Sequence, residues 1–184
     1  MTKKWYDIPG WFDFQDIYSR VIDEVPEGIC VEVGSWLGRS AAYFAEQAEP
    51  MYECLVLHCV DTWEGSEEHK QYVASHDVYT EFCENVSDWI VRGTIVPVMG
   101  KSVEVAKTYE DGSVEFVFID ASHEYDDVRA DIQAWWPKLR EGGYFGGHDI
   151  NWPGVHRAVR ESFPGVKPLG SSWLVRKSEQ REEA

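Results

Sequence analysis

Residues 30–41 read CVEVGSWLGRSA, and this segment decides the fold. An apolar run leads into a turn that contains Gly34 and Gly38, and a helix-like stretch follows. A buried strand followed by a glycine-bearing turn and a helix is how many α/β folds bind a nucleotide-like cofactor. The segment therefore predicts a cofactor site at the end of the first strand.

The turn departs from the dinucleotide fingerprint G-x-G-x-x-G. That fingerprint needs its second glycine so that a pyrophosphate can approach the main chain. Counted from Gly34, the second glycine position holds Trp36 and the third holds Arg39. A bulky indole there argues against NAD or FAD. A nicotinamide-dependent oxidoreductase on a similar sheet is an alternative, but only HEYDDVRAD stands where a Tyr-x-x-x-Lys pair would be expected.

Composition and charge restrict the class of protein. The 184 residues suffice for one domain with a single core. Because 33 acidic residues oppose 17 basic ones, the formal charge is −16, which would repel nucleic acid and anionic membrane surfaces. The start, MTKKWYDIPGW, lacks the apolar core of a signal peptide. A cytoplasmic protein with reduced cysteines and no nucleic-acid or membrane partner is expected.

Strand-like and helix-like segments alternate along the chain. The strand-length apolar runs lie at residues 28–33, 54–61, 94–100, 114–120 and 142–150. Amphipathic helical patterns separate them, and a helix followed by two short strands ends the chain. Alternation of this kind implies right-handed crossovers and a parallel sheet. The expected fold is α/β: a doubly wound, mostly parallel Rossmann-like sheet with helices on both faces and an antiparallel C-terminal edge strand.

Polar side chains at the predicted strand ends suit a cofactor without phosphates. Glu32 lies within the first strand, where a carboxylate can accept hydrogen bonds from an ammonium group, and Ser40 opens the next helix. Asp61 ends the second strand, where it can bind the two hydroxyls of a ribose. Thr62 and Trp63 follow, where an adenine could lie.

Four segments, in this order, resemble class I S-adenosylmethionine-dependent methyltransferases: VEVGSWLGRSA, VDTWEG, VMGKS and FIDASHEYDDVRADIQAWWPKLREGGYFGGHD. They resemble in particular the small-molecule O-methyltransferase-like group of the methyltransferase domain family 24 type, over about residues 28–160. The resemblance implies S-adenosylmethionine as the cofactor. It also implies methylation of a hydroxyl on a small-molecule acceptor: a sugar, a phenol or a secondary metabolite.

The resemblance assigns contacts to residues at the strand ends. It implies that Glu32, Gly34 and Ser35 contact the methionine end of the cofactor and that Asp61 contacts the ribose. The other residues expected at the cofactor are Trp36, Ser40, Thr62, Trp63, Lys101, Ser102 and Asp120. Of these, Thr62 and Trp63 would lie on the adenine side, and Lys101 and Ser102 at the adenine edge.

The candidate catalytic residues follow the fourth and fifth strands. A hydroxyl acceptor must lose a proton, which a general base or a metal can promote. Asp120 ends the fourth predicted strand and His123 follows it, while His148 ends the fifth. A histidine titrates near neutral pH, so His123 or His148 is a candidate base.

The resemblance also implies a metal. Related O-methyltransferases hold magnesium with acids after the fourth and fifth strands, so Mg²⁺ or another divalent cation is expected at Asp120, Asp149 and Asn151. Ile150 separates the last two residues, whereas the related families place those ligands side by side.

The predicted domains are an N-terminal helical segment at 1–27 that covers the site, the S-adenosylmethionine-binding domain at 28–177, and a tail at 178–184. The long connection at 64–77 has the length of a lid or binding loop. Four tryptophans near strand-end loops could wall the acceptor pocket: Trp11, Trp36, Trp63 and Trp152. A homo-oligomer and a non-catalytic S-adenosylmethionine-binding protein are left open.

Overall fold

A computed structural model of the chain describes residues 3–49, 54–66 and 69–178, in which the apolar runs form one sheet. Its strands are β1 (Gly28–Val33), β2 (Leu55–Asp61), β3 (Ile95–Met99), β4 (Val114–Ile119), β5 (Leu139–Gly147), β6 (Pro168–Leu169) and β7 (Ser172–Arg176). The strand order is β3-β2-β1-β4-β5-β7-β6. Strands β1 to β5 are parallel, while β7 is antiparallel to both β5 and β6. The predicted fold class is confirmed.

Helices cover both faces of the sheet. They are α1 (Gln15–Glu24), α2 (Arg39–Ala48), α3 (Lys70–Val73), α4 (Val78–Asn85), α5 (Ser87–Arg92), α6 (Ser102–Ala106), α7 (Tyr125–Trp135) and α8 (Pro153–Ser162). Successive residues of a strand point to opposite faces. In β4, Phe116 and Phe118 therefore join the core with α1, α2 and α4, while Val117 and Ile119 join the core with α7 and α8. The strand order reverses between β1 and β4. Open α/β sheets bind ligands at the carboxyl ends of the strands at such a point, which places the expected ligand site there.

The N-terminal helix α1 packs on the sheet through one apolar face. Ile17, Tyr18, Val21 and Ile22 recur at helical spacing, and all four are buried. The preceding segment packs through buried Phe14, whose ring centroid lies 4.5 Å from that of Phe118 in β4. The residues before α1 therefore lie at the carboxyl ends of the parallel strands.

The fifth strand begins and ends three residues earlier than the prediction of 142–150. Residues Trp136–Lys138 form a 3-10 turn after α7, because Pro137 has no N–H with which to continue the helix. Leu139, which the sequence pattern places on the helix face, therefore opens β5. His148 and Asp149 follow β5 instead of ending it, so they lie in the loop above the sheet.

The helical pattern at 78–92 forms two helices, α4 and α5, which meet at Val86. Of the predicted tail at 178–184, the structure describes only Ser178. Within the described ranges, no helix is both long and apolar enough to cross a membrane.

Candidate active site

A cavity of about 590 Å³ opens at the carboxyl ends of the parallel strands. Its walls come from residues 9–11, from the turn between β1 and α2, from the loop after β2, and from residues that follow β4 and β5. This volume lies within the range of about 300–1,000 Å³ that is common for small-molecule sites. The cavity occupies the position at which open α/β sheets bind ligands.

Gly34 allows the first and fourth strand ends to meet. Its φ is +91°, and a Cβ atom at this position would lie 2.1 Å from the carbonyl oxygen of Asp120. The backbone N–H of Asp120 donates to the carbonyl of Val33 at 2.8 Å, which joins the same two strand ends. No side chain fits at Gly34 without separating these strands at the site.

Glu32 lies buried beneath the turn after β1. The hydroxyl of Tyr18 donates to its Oε1 at 2.7 Å, and the hydroxyl of Ser35 donates to its Oε2 at 2.7 Å. Burial raises the pKa of Glu32 to about 7, although the hydroxyls of Ser40, Tyr18 and Ser35 favour the charged form. A wholly buried carboxylate costs free energy, so its place beside a cavity marks a candidate functional group.

Asp61 connects the turns after β1 and β2. Its Oδ2 accepts the backbone N–H of Trp36 at 2.9 Å, and its Oδ1 accepts that of Trp63 at 2.8 Å. The indole N–H of Trp63 donates to the carbonyl of Trp36 at 2.9 Å. A carboxylate offers about four acceptor positions, so Asp61 retains capacity for further donors such as ribose hydroxyls.

Three non-glycine residues with left-handed backbone follow strand ends around the cavity. Trp36, Trp63 and Asp149 have φ values of +48°, +54° and +57° and follow β1, β2 and β5. Each such residue costs roughly 1–2 kcal/mol, and strain of this kind concentrates at functional sites.

His148 is held from both ring nitrogens. Its Nδ1 lies 3.1 Å from Oδ2 of Asp149 and 3.4 Å from Oδ1 of Asp120. Its Nε2 lies 2.8 Å from Oδ1 of Asp13 and 3.0 Å from the hydroxyl of Ser171. Burial opposes the charged imidazolium, yet the carboxylates of Asp120 and Asp149 outweigh it and raise the pKa of His148 to about 10. The ring is therefore charged at neutral pH.

His123 is more open to the cavity. Its Nε2 lies 2.9 Å from Oδ2 of Asp149, and its ring stacks on Trp152 with centroids 4.4 Å apart. The Nδ1 atom has no hydrogen-bond partner among the described residues. An imidazole with one nitrogen bound to a carboxylate and the other available has the arrangement of a general base.

The predicted site residues divide into those that line the cavity and those that do not. The lining ones are Gly34, Ser35, Trp36, Ser40, Asp120, His123, His148 and Asp149. The residues outside its lining are Glu32, Asp61, Thr62, Trp63, Lys101, Ser102 and Asn151. Trp63 is buried against Tyr79 and Phe82, and the Ser102 hydroxyl accepts the indole N–H of Trp135 at 2.8 Å.

The group at the strand ends that could hold a metal ion differs from the predicted magnesium ligands Asp120, Asp149 and Asn151 by having His148 in place of Asn151. The candidate ligand atoms of Asp120, His148 and Asp149 lie within 4.8 Å of one another. Asn151, the third predicted ligand, is exposed, and Mg²⁺ prefers octahedral oxygen ligands. While His148 is charged, its Nδ1–H donates hydrogen bonds to the carboxylates and has no lone pair for a metal.

Asp13 and Ser171 belong to the cluster but were not among the predicted residues. Asp13 precedes α1, and Ser171 lies in the turn between β6 and β7. The Ser171 hydroxyl donates to Asp13 at 3.0 Å, and this hydrogen bond connects the N-terminal segment to the β7–β6 edge of the sheet. Neither residue lies in a motif, and no sequence signal could have found them.

A family model matches most of the chain. The family described as a methyltransferase domain matches residues 31–150, which is more than half of the 184-residue chain. The match begins within β1 and ends just after Asp149, so it includes both the turn after β1 and the histidine–carboxylate cluster.

Solved O-methyltransferase structures share the fold. The TDP-rhamnose 3'-O-methyltransferase CalS11 is 21% identical, with a TM-score of 0.59 over 88% of this chain and 76% of that one. The O-methyltransferase NovP is 13% identical, with a TM-score of 0.68 over 89% and 79%. A putative caffeoyl-CoA O-methyltransferase from Staphylococcus aureus is 13% identical, with a TM-score of 0.63 over 93% and 86%. At these identities the likeness shows the fold alone.

One curated protein is similar in sequence. The uncharacterized protein y4gI of Sinorhizobium fredii (strain NBRC 101917 / NGR234) is 28% identical over 117 residues. The match covers 59% of this chain but only 12% of that protein, so the chain spans a small part of the relative's length.

Proposed function

This chain belongs to the methyltransferase domain family, and we propose that it transfers the methyl group of S-adenosylmethionine to a hydroxyl on a small molecule. One observation carries the proposal: the cofactor-side turn after β1 and the His123–Asp149 pair line the same cavity. A methyl donor and a hydroxyl acceptor bound there would lie between a glycine-bearing cofactor turn and a candidate base. Orientation and exclusion of water are the main requirements of such a transfer.

The cofactor would lie along the turn after β1. Glu32, Gly34 and Ser35 would bind or support its methionine end, and Asp61 its ribose hydroxyls. Trp63, which shares a hydrogen-bond network with Trp36 and Asp61, would form one boundary of the space for the adenine. Thr62, Lys101 and Ser102 stay predictions for the adenine side, and Ser40 and Asp120 stay predicted cofactor-binding residues.

His123 is the proposed general base. When bound, S-adenosylmethionine would supply an activated methyl group whose carbon an oxygen nucleophile can attack, with S-adenosylhomocysteine as the leaving group. His123 Nδ1 takes the proton of the acceptor hydroxyl, and its Nε2–H donates to Asp149, which stabilises the imidazolium that forms. Stacking on Trp152 fixes the ring in this orientation.

His148 has a positioning role in this proposal. Its side chain is 5% exposed, and both ring nitrogens already contact carboxylates. Neither nitrogen is available to an acceptor hydroxyl. The ring instead holds Asp120 and Asp149 at the cleft and joins them to Asp13 of the N-terminal segment.

We propose a ring-bearing acceptor, such as a sugar or a phenol. Trp11 and Trp152 line the cavity and are 82% and 45% exposed, so the mouth presents aromatic surface to solvent. Large exposed aromatic side chains at a cleft suit stacking against the flat face of a ring. The name of CalS11, a TDP-rhamnose 3'-O-methyltransferase, supports a sugar as one acceptor to be tested.

The test is methyl transfer from labelled S-adenosylmethionine to a panel of hexosides and catechols. We expect product with at least one acceptor. His123→Gln should lower kcat by about 100-fold or more, the range for loss of a general base, and leave the affinity for S-adenosylhomocysteine unchanged. The exposed His156→Gln is the matched control.

Two outcomes would contradict the proposal. Binding of S-adenosylhomocysteine without transfer to any acceptor would support a non-catalytic binding protein instead. Transfer by His123→Gln at the wild-type rate would remove His123 from the base role.

A further inference from the structure

His69 brings a further imidazole to the cavity, on the wall formed by the loop after β2. It directly precedes α3, and it lines the cavity together with Ser66. Its Nδ1 lies 2.9 Å from the hydroxyl of Ser66, and its Nε2 has no hydrogen-bond partner among the described residues. A neutral imidazole held at one nitrogen can donate or accept a hydrogen bond at the other. His69 therefore offers one polar contact to a ligand in the cleft.

The ring of His69 is held in place by Trp36. The two rings stack with their centroids 4.1 Å apart and an angle of 29° between their planes. Tyr72 packs against the same indole, with centroids 5.5 Å apart. Stacking restricts rotation of the imidazole, so the loop presents Nε2 in a defined direction. A polar group with a defined direction is what recognition of a particular ligand atom requires.

The Trp36 indole lies against the N-terminal segment. Its backbone N–H donates to Asp61, the proposed ribose-binding acid, at 2.9 Å. The side chain approaches Gly10 instead, where an added Cβ atom would lie 3.8 Å from Cδ1 of the indole. The same segment continues to the proposed acceptor side, where Asp13 contacts Nε2 of His148 at 2.8 Å. The stacked imidazole therefore lies on the wall that the N-terminal segment extends to the acceptor side of the cleft.

His69 differs from the proposed base, His123, in its partner. His123 is bonded to the carboxylate of Asp149 at 2.9 Å, which stabilises the imidazolium that proton transfer creates. His69 is bonded to the hydroxyl of Ser66 and has no carboxylate partner among the described residues. A serine hydroxyl supplies no negative charge, so this ring suits hydrogen bonding to a neutral group better than proton abstraction.

We propose that His69 binds a second hydroxyl of the acceptor, one that is not methylated. This inference rests on the proposed function and narrows its acceptor class to rings with more than one hydroxyl, such as a hexoside or a catechol. His123 then faces the hydroxyl that receives the methyl group, and Nε2 of His69 makes one hydrogen bond to the other. A site built to hydrogen-bond a hydroxyl rejects an analogue that lacks it, because the polar group of the site is left unpaired.

The test compares kcat/KM for methyl transfer to acceptors paired with analogues that lack one hydroxyl. The pairs are catechol with phenol, and methyl hexosides with their monodeoxy analogues. For the wild type we expect at least one pair to differ about tenfold or more, the scale of a lost hydrogen bond in a binding site. His69→Phe keeps a ring on Trp36 but cannot hydrogen-bond, so the same pair should then differ by about twofold or less. His69→Gln keeps a polar group near Nε2 and should restore part of the difference.

His76→Phe is the matched control. The ring of His76 stacks on Tyr72 with centroids 4.0 Å apart, and its Nδ1 lies 3.0 Å from the hydroxyl of Ser75. His76 thus resembles His69 in its surroundings, yet it is not part of the cavity lining. This variant should discriminate between the paired acceptors as the wild type does. Affinity for S-adenosylhomocysteine, measured by calorimetry on the full chain, should be unchanged in all three variants.

Two results would overturn the inference while transfer itself is observed. One is equal discrimination by the wild type and His69→Phe, including the case in which neither discriminates. The other is weaker binding of S-adenosylhomocysteine by His69→Phe, which would assign the residue to the cofactor. If His69→Phe does not fold, His69→Ala decides by the same comparison. A wild type that methylates none of these acceptors would instead contradict the proposed function, and the inference would fall with it.

Discussion

The hydroxyl of Tyr18 donates a 2.7 Å hydrogen bond to Oε1 of Glu32, which joins the N-terminal helix to the buried acid beneath the turn after β1. Both side chains are fully buried. The helix before the sheet is therefore part of the candidate site, because it fixes the carboxylate that the sequence assigns to the methionine end of the cofactor.

Glu32 should make the stability of the ligand-free protein fall as pH rises. Burial raises its pKa to about 7 from 4.5. Between these values the folded state keeps a proton that the unfolded state has lost, so the free energy of unfolding decreases through this window. Relative to Glu32→Gln, the wild type should lose about 3 kcal/mol between pH 4.5 and pH 7. Urea denaturation at several pH values measures this, and parallel pH profiles for the two proteins would contradict it.

Tyr18→Phe should destabilise the protein more at high pH than at low pH. Hydrogen bonds to charged acceptors contribute about 1.5–3 kcal/mol, and bonds between neutral groups about 0.5–1.5. The lost bond should therefore cost more once Glu32 is ionised. Tyr43→Phe, which removes a hydroxyl bonded to Ser19 at 2.7 Å, is the control and should show no such pH dependence. Equal pH dependence in the two variants would argue against the Tyr18–Glu32 coupling.

Gly34→Ala should damage both the fold and the site. The added methyl would lie 2.1 Å from the carbonyl of Asp120 and must displace backbone. Gly112→Ala is the matched control, because Gly112 also has a positive φ but no atom within 4 Å of an added Cβ. We expect Gly34→Ala to cost several kcal/mol and Gly112→Ala only about 1 kcal/mol from backbone strain. Similar melting temperatures for the two variants would contradict the steric explanation.

Removal of divalent cations should leave methyl transfer intact. The Nδ1 of charged His148 lies 3.4 Å from Asp120 and 3.1 Å from Asp149, so the imidazolium balances the charge of the two carboxylates without a metal. Activity after dialysis against EDTA should stay within twofold of the untreated protein. Loss of activity that added Mg²⁺ or Mn²⁺ restores would show that a metal displaces His148 from this position.

Much of the fold could be predicted because the strands are apolar runs separated by amphipathic helices. That pattern gives a parallel sheet, and the turn at Gly34 indicates where its strand order reverses. The start of β5 could not be predicted. Gly142 and Gly143 interrupt its apolar pattern, and Leu139 keeps the helical spacing of the apolar residues of α7, although that helix ends at Trp135, before Pro137.

The candidate site could be predicted only where its residues follow strands. Asp120, His123 and His148 lie near the ends of β4 and β5, and parallel strands bring these ends together. Asp13 reaches His148 across 135 positions of sequence, through packing of the N-terminal segment that no local pattern encodes. The choice of His123 as base likewise needed the structure, because only the hydrogen bonds distinguish it from His148.

The central claim is that this cleft binds S-adenosylmethionine and not a dinucleotide. Calorimetric titration of the full chain with S-adenosylhomocysteine and with NAD tests it most directly. We expect one equivalent of S-adenosylhomocysteine to bind and NAD to give no binding heat, because Trp36 occupies the position where a pyrophosphate would approach the main chain. Binding of NAD without binding of S-adenosylhomocysteine would contradict the account.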